Sequence, residues 1–328
     1  MDTCVLKSTQ DMRDRTAEIQ EILELQGCCL LEKGIYVVSG LIMPRGTTLA
    51  GVGKESILLL DPQVVVGCTV KMDSFCTVRD LTVAGSLEEL PLPPAVGERH
   101  GICFMGTATV EKPYGQPRNA VIHGCFAHDF SGGGLTFRDT GYSVICCATV
   151  SDCHIWNCGA GINIDHFSEY HKFTNVVASH NLYGCINNGG NNNFIGCGFD
   201  SNVEGFLIDN SHGQSNNNSH GSVVGCTFNH SNKNKGVGIR LLGAMHGYVF
   251  TGCQMFFSSI VVENSSGIAF DSFNYGVNMD IRVTGGQLVM FTDSCFGNAP
   301  ASICITDNTI VKFQNCWTRD GQPVGLEK

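Results

Sequence analysis

The sequence feature that most constrains the fold is a short phrase that recurs every 20 to 29 residues over most of the chain. In each copy an apolar residue is followed by a turn-forming Gly, Asp or Asn and then by a small or apolar residue, most often Cys. That last residue is, in order, Cys125, Cys153, Val176, Cys197, Cys226, Cys253, Phe273, Cys295 and Cys316. A second phrase keeps the same period and begins at Gly161, Gly184, Gly205, Gly238, Ser259, Asp280 and Ser302. Self-similarity of this length is typical of stacked-repeat proteins.

The residues between these phrases indicate the kind of solenoid. Each repeat contains two or three short runs of β-branched and aromatic residues bounded by Gly, Asn, Ser and Asp, which predicts short strands joined by turns. We therefore predict an all-β fold, a right-handed parallel β-helix with coils of about 21 to 29 residues and three strands per coil. Inward side chains of successive coils then stack about 4.8 Å apart. Cys suits such a column because a free thiol packs as a small apolar group.

Composition narrows the possible partners and the folding environment. The 328 residues include 40 Gly and only 15% charged residues, which indicates an ordered, turn-rich chain, and the net charge of −10 argues against nucleic acid as a partner. The 18 Cys fall mostly at interior repeat positions and include no CxxC pair. This pattern favours reduced thiols over a disulfide framework or a structural zinc site. We expect folding in a reducing cytoplasm, with neither a cofactor nor a bound metal.

The chain shows one helical segment and two interruptions of the repeat. Residues 11–26 carry an apolar stripe formed by Ala17, Ile19, Ile22, Leu23 and Leu25. A helix there would cover the open end of the solenoid. We predict an N-terminal segment with a capping helix at 1–27 and a single β-helix domain at 28–328, with insertions at about 85–118 and 211–219. These insertions are either binding loops or tolerated surface loops.

The first residues lack the basic and apolar regions of a secretory leader, and no apolar run is long enough to span a membrane. We therefore expect synthesis in the cytoplasm without a signal peptide and no membrane insertion. Residence in the cytoplasm and export as part of a particle are both compatible with this expectation.

The segment from Asp14 to Asp61 resembles the opening of the pectate-lyase-like right-handed parallel β-helix superfamily. The shared pattern is a D-x-T-x-x-I-Q helix, a G-x-Y-x-V-x-G-L strand and a T-L-x-G-x-G turn, here at residues 14–20, 34–41 and 48–53. Phage tailspikes, polysaccharide lyases, some glycoside hydrolases and sugar epimerases share this fold. The resemblance covers the first sixth of the chain by motif. It implies the fold, and it implies a homotrimer that acts on polysaccharides.

A column of polar residues follows the second-phrase strand in successive coils. Its members are Arg138, Asp165, Asn188 and Asp209, with Glu263, Thr284 and Thr306 further along. Outward side chains one coil apart lie about 5 Å from each other, so Asp165 and Asp209 are expected about 10 Å apart. This is close to the ~6.5–9.5 Å that an inverting glycosidase needs between its acid and its base. We predict that Asp165 and Asp209 form such a pair, with Glu204 as the rival partner of Asp165.

The stretch from Asp165 to Phe173 is the densest group of proton-transfer residues in the sequence. Hydrolysis of a sugar needs one carboxylic acid, one ionised carboxylate and aromatic rings that contact the sugar. We predict that Glu169 and His171 tune the pKa values of the catalytic pair. The residues expected to contact substrate are Arg138, His166, Tyr170, His171, Asn188 and His212. The alternative interpretation is a polar turn with solvated charges.

The leading prediction is a glycan-binding protein that hydrolyses a polysaccharide or oligosaccharide in the manner of a tailspike. One alternative is a non-catalytic spike component that binds a glycan or receptor. A second is a polysaccharide lyase, which would need basic residues clustered beside its catalytic base. A third is a cytoplasmic enzyme that acts on a small oligosaccharide. The leading prediction and the spike alternative place the protein in a phage or prophage tail.

Overall fold

The computed structural model describes residues 4–9, 11–105, 118–138, 145–210, 220–234, 236–276, 280–297, 302–306 and 309–325. Within these residues the chain winds through three long parallel sheets, and each coil contributes one strand to sheet A, one to sheet B and one to sheet C. The prediction of an all-β parallel β-helix with three strands per coil is confirmed.

Sheet A contains β1 (Cys4–Leu6), β2 (Cys28–Leu31), β5 (Thr48–Gly51), β8 (Thr77–Arg79), β11 (Val121–His123), β15 (Thr149–Ser151), β19 (Lys172–Thr174), β22 (Asn192–Ile195), β25 (Gly221–Val224), β28 (Tyr248–Thr251), β31 (Ile268–Asp271), β34 (Val289–Thr292) and β37 (Val311–Gln314). Sheet B contains β3 (Gly34–Val38), β6 (Ser56–Leu60), β9 (Thr82–Ala84), β12 (Phe126–His128), β16 (His154–Trp156), β20 (Val177–Ser179), β23 (Gly198–Asp200), β26 (Thr227–Asn229), β29 (Gln254–Phe256), β32 (Asn274–Tyr275), β35 (Cys295–Phe296) and β38 (Trp317–Thr318).

Sheet C contains β4 (Leu41–Ile42), β7 (Gly67–Met72), β10 (Arg99–Met105), β13 (Gly133–Arg138), β17 (Ala160–Ile164), β21 (Tyr183–Asn187), β24 (Glu204–Asp209), β27 (Val237–Leu242), β30 (Ser259–Glu263), β33 (Asp280–Thr284) and β36 (Ser302–Thr306). A two-stranded sheet pairs β14 (Ile145–Cys146) with β18 (Ser168–Glu169) at the corner between sheets C and A. The helix α1 spans Thr16–Gln26, and a short 3₁₀ turn spans Ser231–Asn234.

The corner between sheets A and B explains the recurring phrase. In each coil from β8 onwards one residue there has a positive φ, namely Asp80, Gly124, Asp152, Asn175, Gly196, Gly225, Gly252, Ser272, Asp293 and Asn315. Gly, Asn and Asp are the residues that adopt this left-handed conformation most readily. The residue that follows turns into the core, as Cys125, Cys197 and Cys226 do. The backbone N–H of Cys197 donates a hydrogen bond to Sγ of Cys226 at 3.2 Å, so these two residues are vertical neighbours inside the solenoid.

The assignment of Cys295 to this column was wrong. The left-handed residue of its coil is Asp293, so the next residue, Ser294, enters the core and is buried. Cys295 begins β35 and is exposed. The other eight residues of the predicted column are buried.

The strands of sheet C begin beside a column of glycines, and this column permits close packing of the coils. A Cβ added at Gly161, Gly184 or Gly205 would lie 2.6, 2.5 or 2.4 Å from the carbonyl oxygen of the glycine in the next coil. Side chains therefore do not fit at these three positions.

We expect Gly205→Ala to destabilise the protein by about 1–3 kcal/mol, because the added methyl group overlaps backbone that cannot move without disturbing the strand. Gly198→Ala is the matched control in the same coil. There the nearest atom to an added Cβ is Oγ1 of Thr227 at 3.5 Å, an ordinary contact. Urea unfolding of both variants measures the difference. Equal midpoints would show that the glycine column is not required.

Helix α1 lies over the N-terminal end of the core, with Ile19 and Leu23 fully buried and Ile22 packed against them. The predicted apolar stripe of the helix was partly wrong, because two of its members, Ala17 and Leu25, are exposed. The polar residues of the D-x-T-x-x-I-Q motif attach the helix to the first coil. The side-chain amide of Gln20 makes two hydrogen bonds to the backbone of Ile42, at 2.7 and 3.0 Å, and Oγ1 of Thr16 accepts one from the N–H of Ser39 at 2.7 Å.

The first predicted insertion needs a correction. Residues 85–118 include β10, which takes its regular place between β7 and β13 in sheet C. The irregular part that the structure describes is the strap at residues 86–98. The strap is held to the solenoid by the N–H of Leu90, which donates to Oδ1 of Asp129 at 2.9 Å. The second predicted insertion, 211–219, lies outside the described residues.

Candidate functional site

The predicted polar column runs along the end of the sheet C strands. Ile164 pairs with Asn187, so Asp165 and Asn188 follow at equivalent positions, and the backbone N–H of Asp209 donates to Oδ1 of Asn188 at 2.9 Å. Asp209 pairs with Leu242, which pairs with Glu263. The strand register therefore agrees with the column predicted from the sequence. That column has one gap, between Asp209 and Glu263, and Leu242 occupies it. Two strand spacings separate Asp165 from Asp209, about 9.6 Å, and Asn188 lies between them.

Arg138 connects Asp165 to the strap. Its Nε lies 3.6 Å from Oδ2 of Asp165, and its Nη1 donates to Oε2 of Glu98 at 3.1 Å. This hydrogen bond and the charge of Arg138 hold the pKa of Glu98 below its usual value. A guanidinium so close also favours the ionised form of the Asp165 carboxyl group.

The other end of these strands carries a second polar group, formed by Tyr183, Glu204 and Arg240. Nε and Nη2 of Arg240 donate to the two carboxylate oxygens of Glu204 at 3.0 and 2.9 Å. Burial, followed by the charge of Glu204, raises the pKa of Tyr183, and the charge of Asp209 acts in the same direction. Tyr183 therefore lies within electrostatic reach of both ends of β24.

The alternative pairing of Asp165 with Glu204 is not supported by this geometry. Glu204 begins β24 whereas Asp209 ends it, and only Asp209 shares the column of Asp165. Both oxygens of Glu204 are also occupied by Arg240 in a bidentate pair, an arrangement that suits positioning better than proton transfer. Sequence reasoning missed the association of Tyr183 with this face. The signal was present, since Tyr183 and Glu204 both immediately precede a column glycine.

Glu169 lies in the corner between sheets C and A, on β18. Its side chain is buried, and this burial raises its pKa, although the charge of His220 and a hydrogen bond from Asn191 oppose the rise. A raised pKa is the property expected of a general acid. Because Glu169 lies beneath the turn, however, it is less accessible than Asp165, which is about one-third exposed.

His171 was predicted to contact substrate, and this prediction was wrong. The side chain is fully buried among Phe104, Phe137 and Phe173. Its Nδ1 accepts a hydrogen bond from the N–H of Ala148 at 3.0 Å, so Nε2 carries the proton and donates to Oγ of Ser168 at 2.7 Å. His171 is a neutral core residue.

Two further predicted contact residues, His166 and Tyr170, lie in the same turn. Tyr170 is 53% exposed and has a φ of 58°, which directs its ring away from the core. His166 is half-buried, with its ring centroid 4.6 Å from that of Phe167. His212 lies outside the described residues. The turn thus presents His166 and Tyr170 beside Asp165.

Two arginines beside the column are engaged by carboxylates. Arg138 pairs with Glu98 and Asp165, and Arg240 pairs with Glu204. Over the described part of the chain, no three His, Cys, Asp or Glu side chains are grouped so as to hold a metal ion. The same residues include no helix with the length and apolar character needed to cross a membrane.

Sequence comparison finds no match, either to a family model or to a curated protein. Solved structures do match. Gene product 12 of bacteriophage phi29, in its pre-mature form, is 14% identical with a TM-score of 0.66 over 93% of this chain, and this chain spans half of its length. The A-module of the mannuronan C-5 epimerase AlgE4 from Azotobacter vinelandii is 14% identical with a TM-score of 0.63, covering 96% of this chain and 94% of the module.

The tailspike of E. coli bacteriophage HK620 gives a TM-score of 0.63 at 10% identity, over 95% of this chain and 64% of the tailspike. Identities this low demonstrate a common fold and nothing more specific. The agreement nevertheless extends over almost every coil. The chain therefore has the parallel β-helix fold that these three structures share.

Proposed function

We propose that the protein binds a polysaccharide across the outer face of sheet C and hydrolyses it with Asp165 and Asp209. The observation that carries this proposal is the register of sheet C. It brings two partly exposed aspartates to the same column, two strands apart, which corresponds to about 9.6 Å along the axis. That spacing leaves room for a water molecule between the acid and the base, as inversion requires.

The surroundings suggest a role for each residue. Asp165, beside Arg138, is the ionised base that activates water, and Asp209 is the acid that protonates the leaving oxygen. Tyr183 and Asn188 line the face between these carboxylates and the Glu204–Arg240 pair. His166 and Tyr170 contact the sugar at the turn. Glu169 lies beneath the turn and affects the site through its charge state.

Asp165→Asn and Asp209→Asn are each expected to lower turnover by about 10²-fold or more, because each removes one proton-transfer group. Asp200→Asn is the matched control, since Asp200 is an exposed carboxylate on sheet B that pairs with His230 at 3.1 Å. The measurement is release of reducing ends from a panel of purified bacterial capsular and O-antigen polysaccharides. Undiminished release by both variants would exclude the assignment, and NMR of the first-formed anomer tests inversion.

A non-catalytic glycan-binding function is the second candidate. The observation that favours it is that Arg138 and Arg240 already engage the carboxylates of Asp165 and Glu204. In that case the wild-type protein retains a polysaccharide without releasing reducing ends from it. A lyase is less well supported, because neither arginine is free to neutralise a uronate carboxylate.

The similarity to phage tailspikes supports two further parts of the proposal, assembly as a homotrimer and a place in a virion tail. Light scattering coupled to size-exclusion chromatography measures the mass of the assembly. A mass of about three chains is expected, and a mass of one chain would contradict the trimer.

A further inference from the structure

The outer face of sheet B carries a groove that the site on sheet C does not use. It has a volume of about 560 Å³ and is lined by side chains from five successive strands, β6, β9, β12, β16 and β20, most of them aromatic or polar. Four strand spacings correspond to about 19 Å along the axis of the solenoid. The groove is therefore long enough for several linked sugars and lies within the size range of ligand sites.

Trp156, on the fourth of these strands, is the largest aromatic side chain that lines the groove. Its indole stacks on the imidazole of His128 in the preceding coil, with ring centroids 4.5 Å apart and an angle of 16° between the planes. His154, two residues before it on the same strand, lies 5.1 Å away, and Phe126 meets it edge-on at 6.4 Å. In the following coil the equivalent position is the small residue Ser179. No aromatic side chain therefore covers the second face of the indole in this column.

A buried carboxylate fixes the position of this stack. Oδ2 of Asp129 lies 2.6 Å from Nδ1 of His128, and its Oδ1 accepts hydrogen bonds from the N–H of Leu90 and from the side-chain amide of Asn157. Because a carboxylate oxygen accepts, Nδ1 of His128 is the donor in this contact. The strap and the corner between sheets B and C thus hold the imidazole under Trp156 in one orientation.

The rim of the groove supplies hydrogen-bonding groups. Nε2 of His154 and Oγ of Ser179 are 3.0 Å apart, and Lys54 and His180 are exposed at the two ends. A rigid aromatic plane bordered by hydroxyl, imidazole and ammonium groups complements a pyranose ring. Such a ring has an apolar face of C–H groups and a periphery of hydroxyl groups. The rim does not by itself select the stereochemistry of the sugar.

We propose that this groove is a second, non-catalytic glycan-binding site, in which a pyranose ring of the polysaccharide stacks on the face of Trp156 that borders Ser179. It deepens the proposed function and rests on it for the nature of the ligand. A chain that runs along the axis on sheet B would be held while another segment reaches the carboxylates of sheet C. Binding at two surfaces of one rigid solenoid increases the effective concentration of the substrate at the catalytic face.

The test uses the full-length chain with Asp165→Asn and Asp209→Asn, so that bound polysaccharide is not consumed. Immobilised bacterial capsular and O-antigen polysaccharides are the probes. Trp156→Ala is expected to weaken retention about tenfold or more, and Trp156→Phe less, because the ring is partly kept. Trp317→Ala is the matched control, since Trp317 is also on sheet B and 50% exposed but lies seven strands further along.

A second readout does not depend on the stability of these variants. The sequence contains two Trp, so Trp317→Phe leaves Trp156 as the single indole fluorophore. Soluble fragments of the retained polysaccharide are expected to shift or quench its emission. Unchanged emission at saturating fragment, or retention that Trp156→Ala does not weaken, would overturn the proposal. Failure of the unsubstituted Trp156 protein to retain any probe would also overturn it.

The outcomes separate the two proposals. Cleavage by wild-type protein and by Trp156→Ala at equal rates and equal KM, with unaltered retention, would exclude the groove while leaving hydrolysis at Asp165 and Asp209 in place. Retention that depends on Trp156, without release of reducing ends by wild-type protein, would support the groove and exclude hydrolysis.

Discussion

Lowering the pH from 7 to 4 is expected to cost the protein about 3 kcal/mol of stability through His171 alone. Burial of this fully enclosed imidazole lowers its pKa from 6.5 to about 3. In the unfolded chain the same group binds a proton as the pH falls below about 6.5. Between these two values the unfolded state holds the extra proton, so stability is complete above pH 6.5 and decreases as the pH falls. At about 1.4 kcal/mol per pH unit, 2.5 units account for the expected loss.

His171→Asn tests this expectation, because its Oδ1 can accept the hydrogen bond from Ala148 while the titratable group is removed. We expect lower stability at pH 7, since the smaller side chain leaves a cavity, but a dependence on pH that is shallower by about one proton between pH 6.5 and 4. His180→Asn is the control, as His180 is exposed and has a φ of 56° that Asn tolerates. Urea unfolding at several pH values supplies the slopes. A slope for His171→Asn equal to that of wild type would show that other groups dominate.

Phe194→Ala is expected to destabilise the protein by about 3–5 kcal/mol, the range for loss of a buried aromatic side chain. Phe194 is fully buried and stacks on Phe173 with centroids 4.7 Å apart and planes within 7°. It also meets Phe199 and Phe206 edge-on at 6.2 and 5.2 Å. The rings of neighbouring coils cannot close the resulting cavity, because the strand spacing fixes their separation.

The next residue on the same strand gives the matched control. Ile195 points away from the core of sheet A and is 47% exposed, so Ile195→Ala is expected to change stability by less than about 0.5 kcal/mol. Urea unfolding, followed by far-ultraviolet circular dichroism, compares the two variants. Equal losses for Phe194→Ala and Ile195→Ala would mean that the interior stack contributes no more than surface contacts do.

Alternation within strands was the most reliable information in the sequence, and it failed where the chain turns. Strict alternation from the outward-facing Asp165 would direct His171 outwards as well. The left-handed φ of Tyr170 interrupts it, so Tyr170 points outwards and His171 enters the core. The same rule explains the error at Cys295, which was placed by its chemistry and not by its position after the left-handed Asp293. In a solenoid the corner residue decides which side chain turns inwards.

The groove on sheet B could have been found from the sequence. His154 and Trp156 flank the buried Ile155, and one coil earlier Phe126 and His128 flank the buried Ala127. Given the repeat alignment, aromatic and imidazole side chains at outward positions of adjacent strands predict an exposed aromatic surface.

By itself the sequence determined the parallel β-helix, its three strands per coil and the column shared by Asp165, Asn188 and Asp209. It could do so because a repeat of nearly constant length fixes which residues lie above one another. Only the tertiary structure decided which side chains are available for chemistry. Arg240 and Glu204 are 36 residues apart, and Arg138 and Glu98 are 40 apart. Such pairs depend on the reach and orientation of long side chains, which the spacing of a repeat does not specify.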